Sequence, residues 1–463
     1  MRRAALAIAL ALAACDTPAD DVTQAPTVPP ATAAGPSVED DLNTNPDLRR
    51  TLERPEVGSG LMPLYRWLHA NPELSNKETE TSALLADMLE ESGFEVTRGV
   101  GGLGVVGVLE NGEGPTVLLR ADMDGLPVEE DTGLYFASEV TTENASGETV
   151  PVMHACGHDV HMTSVLGAAQ DLHTQRDNWS GTLVVIFQPA EEIVQGARQM
   201  LDDGLFTRFP RPDYNIALHV NAGLPAGQFG IVPGYALANV DTVDLSIFGV
   251  GAHGAYPHLG VDPIVISAAT IMSLQTIVSR NVNPQDAAVI TVGSIHAGTK
   301  HNIIPEEVKL QLTVRSYTDE VRETTIDGIR RVAENTALAY GVPEDRLPVV
   351  TIRDESAPAT FNDVELSQRT LDAFANAFGK DAVKVLPAVM AAEDFAEYGR
   401  TDPRIPSMIY WLGAADPEAF EAAQNGGPEL PGLHSPNFAP DADTAVPLGT
   451  RSLVVAALNL FNG

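Results

Sequence analysis

The chain has 463 residues, of which 44% are hydrophobic, enough to build cores in more than one domain. Its 63 acidic and 28 basic residues leave a formal charge of −35. That balance excludes a nucleic-acid binder or a basic lipid-surface protein, both of which need a cationic footprint. Two cysteines, Cys15 and Cys156, exclude a disulfide scaffold.

The N-terminus opens with Arg2-Arg3 and an apolar run over residues 4–14. That run is too short to span a bilayer and has the length of a signal-peptide core. It ends in Leu12-Ala13-Ala14-Cys15, which resembles the lipobox of bacterial lipoproteins. The resemblance implies a signal peptide over 1–14, lipidation at Cys15 and a lipid anchor on the periplasmic side of a bacterial cell envelope, in either membrane. Residues 15–57 are rich in Asp, Thr, Pro and Ala and read as a disordered tether.

Order begins near Gly58. Residues 61–69 predict a helix, and a second runs from about 77 to 92, with Leu84, Leu85, Met88 and Leu89 at helical spacing. Gly102, Gly104 and Gly107 match a dinucleotide-binding fingerprint in letters only. No helix follows them, and the chain turns at Asn111-Gly112, so a glycine-rich hairpin is expected. Residues 116–121, 183–187, 214–218 and 407–412 read as buried strands, with helices at 162–172 and 196–203. This alternation predicts an α/β fold with a largely parallel or mixed sheet flanked by helices. Ligands of such sheets gather where strands end, and Asp122, Glu191, Glu192 and His219 each follow an apolar run. From 241 to about 350 the order changes to strand, helix, strand, strand, helix. An inserted smaller α+β domain is therefore expected at 241–352, between catalytic parts at 58–240 and 353–463.

The segment Met153-His154-Ala155-Cys156-Gly157-His158-Asp159-Val160-His161 holds three histidines, an aspartate and a cysteine. Packing gives no reason for that density, whereas thiolate and imidazole together suit a zinc-like metal. Cys156 and His158 are two apart and share one side of an extended backbone. With Glu192, His219 and His434 they make five candidate ligands, more than one tetrahedral zinc takes. Two divalent ions per subunit fit better, with water clamped between them. Sulfur favours zinc, while histidine and carboxylate also suit manganese, nickel or cobalt. Glu191, beside a proposed ligand, is placed to act as general base.

Five segments carry a resemblance: Arg120-Ala121-Asp122-Met123-Asp124-Gly125-Leu126-Pro127, the 153–159 segment, Phe187-Gln188-Pro189-Ala190-Glu191-Glu192, Leu218-His219-Val220 and Leu433-His434-Ser435-Pro436. Together they resemble the amidohydrolase branch of the dinuclear metallopeptidases, which includes hippurate, auxin-conjugate and N-acyl-amino-acid hydrolases. The resemblance spans nearly all the chain beyond residue 58. It implies metal at Cys156, His158, Glu192, His219 and His434, and a catalytic base at Glu191. It also implies a homodimer built through the inserted domain. His253 would then enter a neighbouring subunit's site as an oxyanion donor. His258 and Asn302 match positions lining the substrate, and Arg315 suits a substrate carboxylate because its fork matches that group. The expected substrate is a small N-acyl amino acid or similar conjugate. A dipeptidase or carboxypeptidase would share the centre. A non-catalytic metal-binding lipoprotein would have no use for Glu191 or His253. The chain departs from its relatives at Ala252, at Ile193-Val194-Gln195-Gly196 and at Ala391-Ala392, where they commonly carry glycine. These changes bear on substrate shape, not on hydrolysis.

Overall fold

In the strands Thr116–Asp122 and Gly181–Gln188 nearly every side chain is buried. Successive residues nonetheless join different apolar clusters. Val117, Leu119, Leu183 and Val185 belong to one, and Leu118, Val184 and Ile186 to the other. A period of two with both phases buried is what a sheet covered on both faces produces. The computed structural model describes residues 60–463. The expected signal peptide, the tether and Cys15 lie outside the described residues.

The main sheet has eight strands, in the order Glu95–Val100, Gly104–Asn111, Gly181–Gln188, Thr116–Asp122, Tyr214–Pro225, Ser407–Ala415, Phe229–Ile231 and Val383–Val385. Strands 181–188, 116–122, 214–225 and 407–415 run parallel. The expected glycine hairpin adds an antiparallel edge. The mixed sheet predicted from the sequence is therefore present. On one face the helices His158–Thr174 and Ala442–Phe461 approach closely. A Cβ on Gly449 would lie 2.5 Å from Ser164 Oγ, and one on Gly167 2.7 Å from Thr450 Oγ1. A larger residue at either position would force its neighbour's side chain to shift.

A second, smaller sheet has the order Ala288–Ala297, Glu307–Ser316, Val240–Phe248 and Val349–Ala357, all antiparallel. The helices Pro263–Arg280 and Asp319–Ala339 cover it with one apolar cluster. Their starts are set by local chemistry. Asp262 accepts from Ile264 N ahead of Pro263, and Thr318 accepts from Val321 N. Buried and half-exposed residues alternate along Val240–Phe248, the sign of a sheet covered on one side. The sequence reading missed Val349–Ala357, because Arg353, Asp354 and Glu355 mask its alternation and the strand is mostly exposed.

Candidate metal centre and active site

Cys156 and His158 come together by a different route from the extended backbone expected. Gly157 takes a left-handed conformation (φ 80°) and turns the chain directly into the helix His158–Thr174, four residues before its expected start. The helix thus begins on the histidine. Its Nδ1 donates to the Asp124 carbonyl at 2.8 Å, leaving Nε2 buried and without a hydrogen-bond partner among the described residues. His219 is fixed in the same way, with Nδ1 donating to the Val220 carbonyl at 2.8 Å and Nε2 3.5 Å from Cys156 Sγ. His434 Nε2 lies 3.3 Å from the same sulfur and 3.6 Å from Glu192 Oε2. Two donor triads result, Cys156/His158/His219 and Cys156/Glu192/His434, and they share the Cys156 sulfur. All five expected ligands converge.

These donors fit divalent cations. Metal bonds of about 2.0–2.3 Å at tetrahedral angles place neighbouring ligand atoms about 3.3–3.8 Å apart, the spacing seen here. His158 Nε2 and Glu192 Oε1 are buried with no hydrogen-bond partner among the described residues. The charge argues the same way. Burial pushes Glu191 well above the carboxylate range, and Glu393, Glu192, Asp394 and Asp122 add to the push. Burial lifts Glu192 to about 8, against the pull of His158. Burial, then Glu192 and Glu191, hold the Cys156 thiol well above its ordinary value. Buried acids that repel one another in this way are relieved by bound cations. His161 is not a candidate ligand. Its Nδ1 bonds to Asp122 Oδ1 at 2.7 Å and its Nε2 accepts from Val220 N at 2.9 Å, so both nitrogens are engaged. Burial draws it down to about 3, consistent with a neutral ring.

The turn bearing Glu191 and Glu192 is held from below. Asp124 Oδ1 accepts from Glu191 N at 3.1 Å, and Oδ2 from Glu192 N at 2.9 Å. Buried Glu78 accepts from Ala190 N at 2.8 Å. Ala190 (φ 55°), Val194 (φ 50°) and His434 (φ 64°) all have left-handed backbones, which non-glycine residues rarely adopt. Strain therefore collects around the cluster. Beneath it the fully buried Arg120 donates to Gln188 Oε1 at 3.0 Å, Glu393 Oε1 at 2.8 Å and Asp394 Oδ1 at 3.1 Å, and also to Asp122.

A cavity of about 460 Å³ opens over the donors and is also lined by Arg315. His253 and Asn302 line a separate open depression. His258 joins that group through Tyr256, whose ring centroid lies 6.3 Å from that of His258 and 5.5 Å from that of His253. Within one chain these three residues are brought to each other and not to the metal donors. The sequence reading did not assign work to Glu78, Asp124, Arg120 or Glu393. Acids ending apolar runs were the visible signal. Their partners lie up to hundreds of positions away, as with Arg120 and Glu393, 273 apart.

The family model "Peptidase family M20/M25/M40" matches residues 118–425. The chain belongs to this family. Among its M20 relatives, hippurate hydrolase of Campylobacter jejuni is 38% identical over 71% of this chain and 82% of its own length. Thermostable carboxypeptidase 2 of Saccharolobus solfataricus is 34% identical over 88% and 97%. The crystal structure of Bacillus subtilis YXEP, described as a dinuclear metal binding peptidase from the M20 family, aligns with a TM-score of 0.69 at 30% identity, covering 87% of this chain and 97% of that one.

Proposed function

We propose that this M20 chain hydrolyses the amide bond of N-acyl amino acids or similar small conjugates. The observation that carries the reading is a pair of donor triads sharing Cys156, with the carboxylate of Glu191 held beside them. Cys156, His158 and His219 would hold one divalent cation, and Cys156, Glu192 and His434 the other. When bound, such a pair supplies Lewis acidity and a water that is acidic near neutral pH. Asp124 aims Glu191 by holding its backbone N–H. The Glu191 carboxylate takes the proton of the attacking water and delivers it to the departing nitrogen. Arg315 receives the substrate carboxylate. Its guanidinium is half-buried in the cavity wall and donates to Met390 O at 2.8 Å, and no ion-pair partner is found for it among the described residues.

His253, His258 and Asn302 belong, on this reading, to a homodimer in which each smaller domain completes its partner's site, with His253 donating to the oxyanion. A lipid on Cys15 would hold the enzyme to a bacterial membrane, facing the periplasm. Zinc or manganese is the favoured ion, with nickel and cobalt open. The similarity to a carboxypeptidase keeps a peptidase in view, and Arg315 would serve either substrate. A panel of acyl-amino acids against dipeptides separates the two. The deciding variant is Glu191→Gln, which keeps its metal by elemental analysis and loses about 10²–10⁴-fold in kcat. A variant that turns over normally removes Glu191 from the mechanism.

A further inference from the structure

The turn that aims the two glutamates also presents Ile193 and Val194 to the cavity. Val194 is strained: a β-branched residue at φ 50° occupies backbone that glycine takes freely. The turn cannot slide to relieve this. Val194 N bonds to Glu191 O at 2.6 Å, Gln195 N and Gly196 N both bond to Ala190 O at 3.1 Å, and a Cβ on Gly196 would meet Pro189 O at 1.6 Å. Ala391 and Ala392 line the same cavity. They are equally fixed, because Ala238 N bonds to Ala391 O at 2.9 Å and the next residues, Glu393 and Asp394, are held by Arg120. Asp394 also accepts from Ala197 N at 2.9 Å, tying the two segments to each other. Leu237 and Trp411 complete an apolar lining. The charged residues lining this cavity, apart from the two histidines, are three acids, Glu191, Glu192 and Glu355, and a single guanidinium, that of Arg315.

We propose that Ile193, Val194, Ala391 and Ala392 form a rigid apolar wall that sets specificity. The wall admits substrates with one carboxylate and an uncharged apolar acyl group, and rejects acyl groups that end in a second carboxylate. The inference rests on the amidohydrolase reading and deepens it. The carboxylate of the amino acid takes Arg315, the one guanidinium or ammonium in the lining, so a second anion at the far end of the acyl group would lie against Ile193, Val194, Ala391 and Ala392, none of which offers it a counter-charge. The strain at Val194 keeps a branched side chain where glycine would leave a gap.

The test uses manganese-loaded protein and four probes: the acetyl, benzoyl, naphthoyl and succinyl derivatives of L-alanine. Calorimetry on the Glu191→Gln protein reads binding without turnover, and kcat/KM is measured in parallel on the unaltered protein. Benzoyl-alanine is expected to bind at least about tenfold tighter than succinyl-alanine, the scale of small changes in an apolar pocket. Adding Val194→Gly should improve naphthoyl-alanine by a similar factor, and its melting temperature should not fall, because the replaced residue was strained. Ala391→Gly with Ala392→Gly should act in the same direction. Equal binding of succinyl and benzoyl compounds overturns the wall, as does a Val194→Gly protein with an unchanged preference. If the compounds bind in the expected order but the unaltered protein cleaves none of them, the amidohydrolase reading fails and the wall stands. If succinyl and benzoyl compounds are cleaved with equal kcat/KM, the wall fails and the reading stands. No binding of any probe overturns both.

Discussion

The donor cluster and the His253 group are held in opposite ways. Cys156, His158 and His219 are buried, and each imidazole is pinned through its far nitrogen to a backbone carbonyl. His253 and His258 are exposed, and His253 Nδ1 accepts from Ala255 N, two residues further along. A metal site needs donors fixed within the chain, since misplaced ligands lose affinity. On the proposed reading, the second group acquires its surroundings from another subunit and needs only a stable loop on a sheet edge. The contrast can be broken at several points.

Cys156→Ala should have the largest effect, because it removes the sulfur common to both triads. Elemental analysis should show loss of both ions, and turnover should fall to background. A variant that retains two ions would contradict the shared-donor geometry. Next is Arg120→Met, which leaves Asp122, Glu393 and Asp394 buried without their cation. Breaking a buried pair on one side costs about 3–5 kcal/mol, measurable by denaturant unfolding of metal-loaded protein. His253→Ala should leave that stability unchanged and lower kcat by about 10²–10³-fold, the scale of one oxyanion donor. Mixing it with Glu191→Gln protein should restore activity if His253 works across subunits. No recovery after subunit exchange would place its action within its own chain.

A smaller effect is expected from His69. Its Nδ1 is 2.7 Å from Asp159 and its Nε2 3.0 Å from Glu130. Burial lowers its pKa, but the two carboxylates outweigh burial and raise it from 6.5 to about 9. A raised folded-state value means that this contribution is complete below 6.5 and is lost as pH rises through about 9. Unfolding free energy should decline over that window, and His69→Gln should flatten the decline. The weakest expected effect comes from the net charge of −35. An anionic substrate is repelled at long range, so kcat/KM should rise with moderate salt. A flat response would mean that steering is local.

Much of this was legible in the chain. The apolar runs gave the central parallel strands, since a sheet covered on both faces demands near-continuous hydrophobicity. The five donors were visible because few other roles call for Cys, His and Glu in such density. The edge strand Val349–Ala357 was not legible, because an exposed edge tolerates charge at most positions. Nor was the fixing of Ala190 by Glu78, which depends on a contact across 112 residues. The direction of approach of Cys156 and His158 was misjudged because the left-handed state of Gly157 is invisible in spacing alone.

Asp124 has three jobs at once. Its carbonyl orients His158, and its two carboxylate oxygens hold the N–H groups of Glu191 and Glu192. On the proposed reading, ligand and proton carrier therefore share one mechanical support. A chain wired in this way cannot retune its choice of ion without disturbing its acid–base step. Changes that separate the two must arise from the far side of the centre, where His434 approaches on a loop of its own.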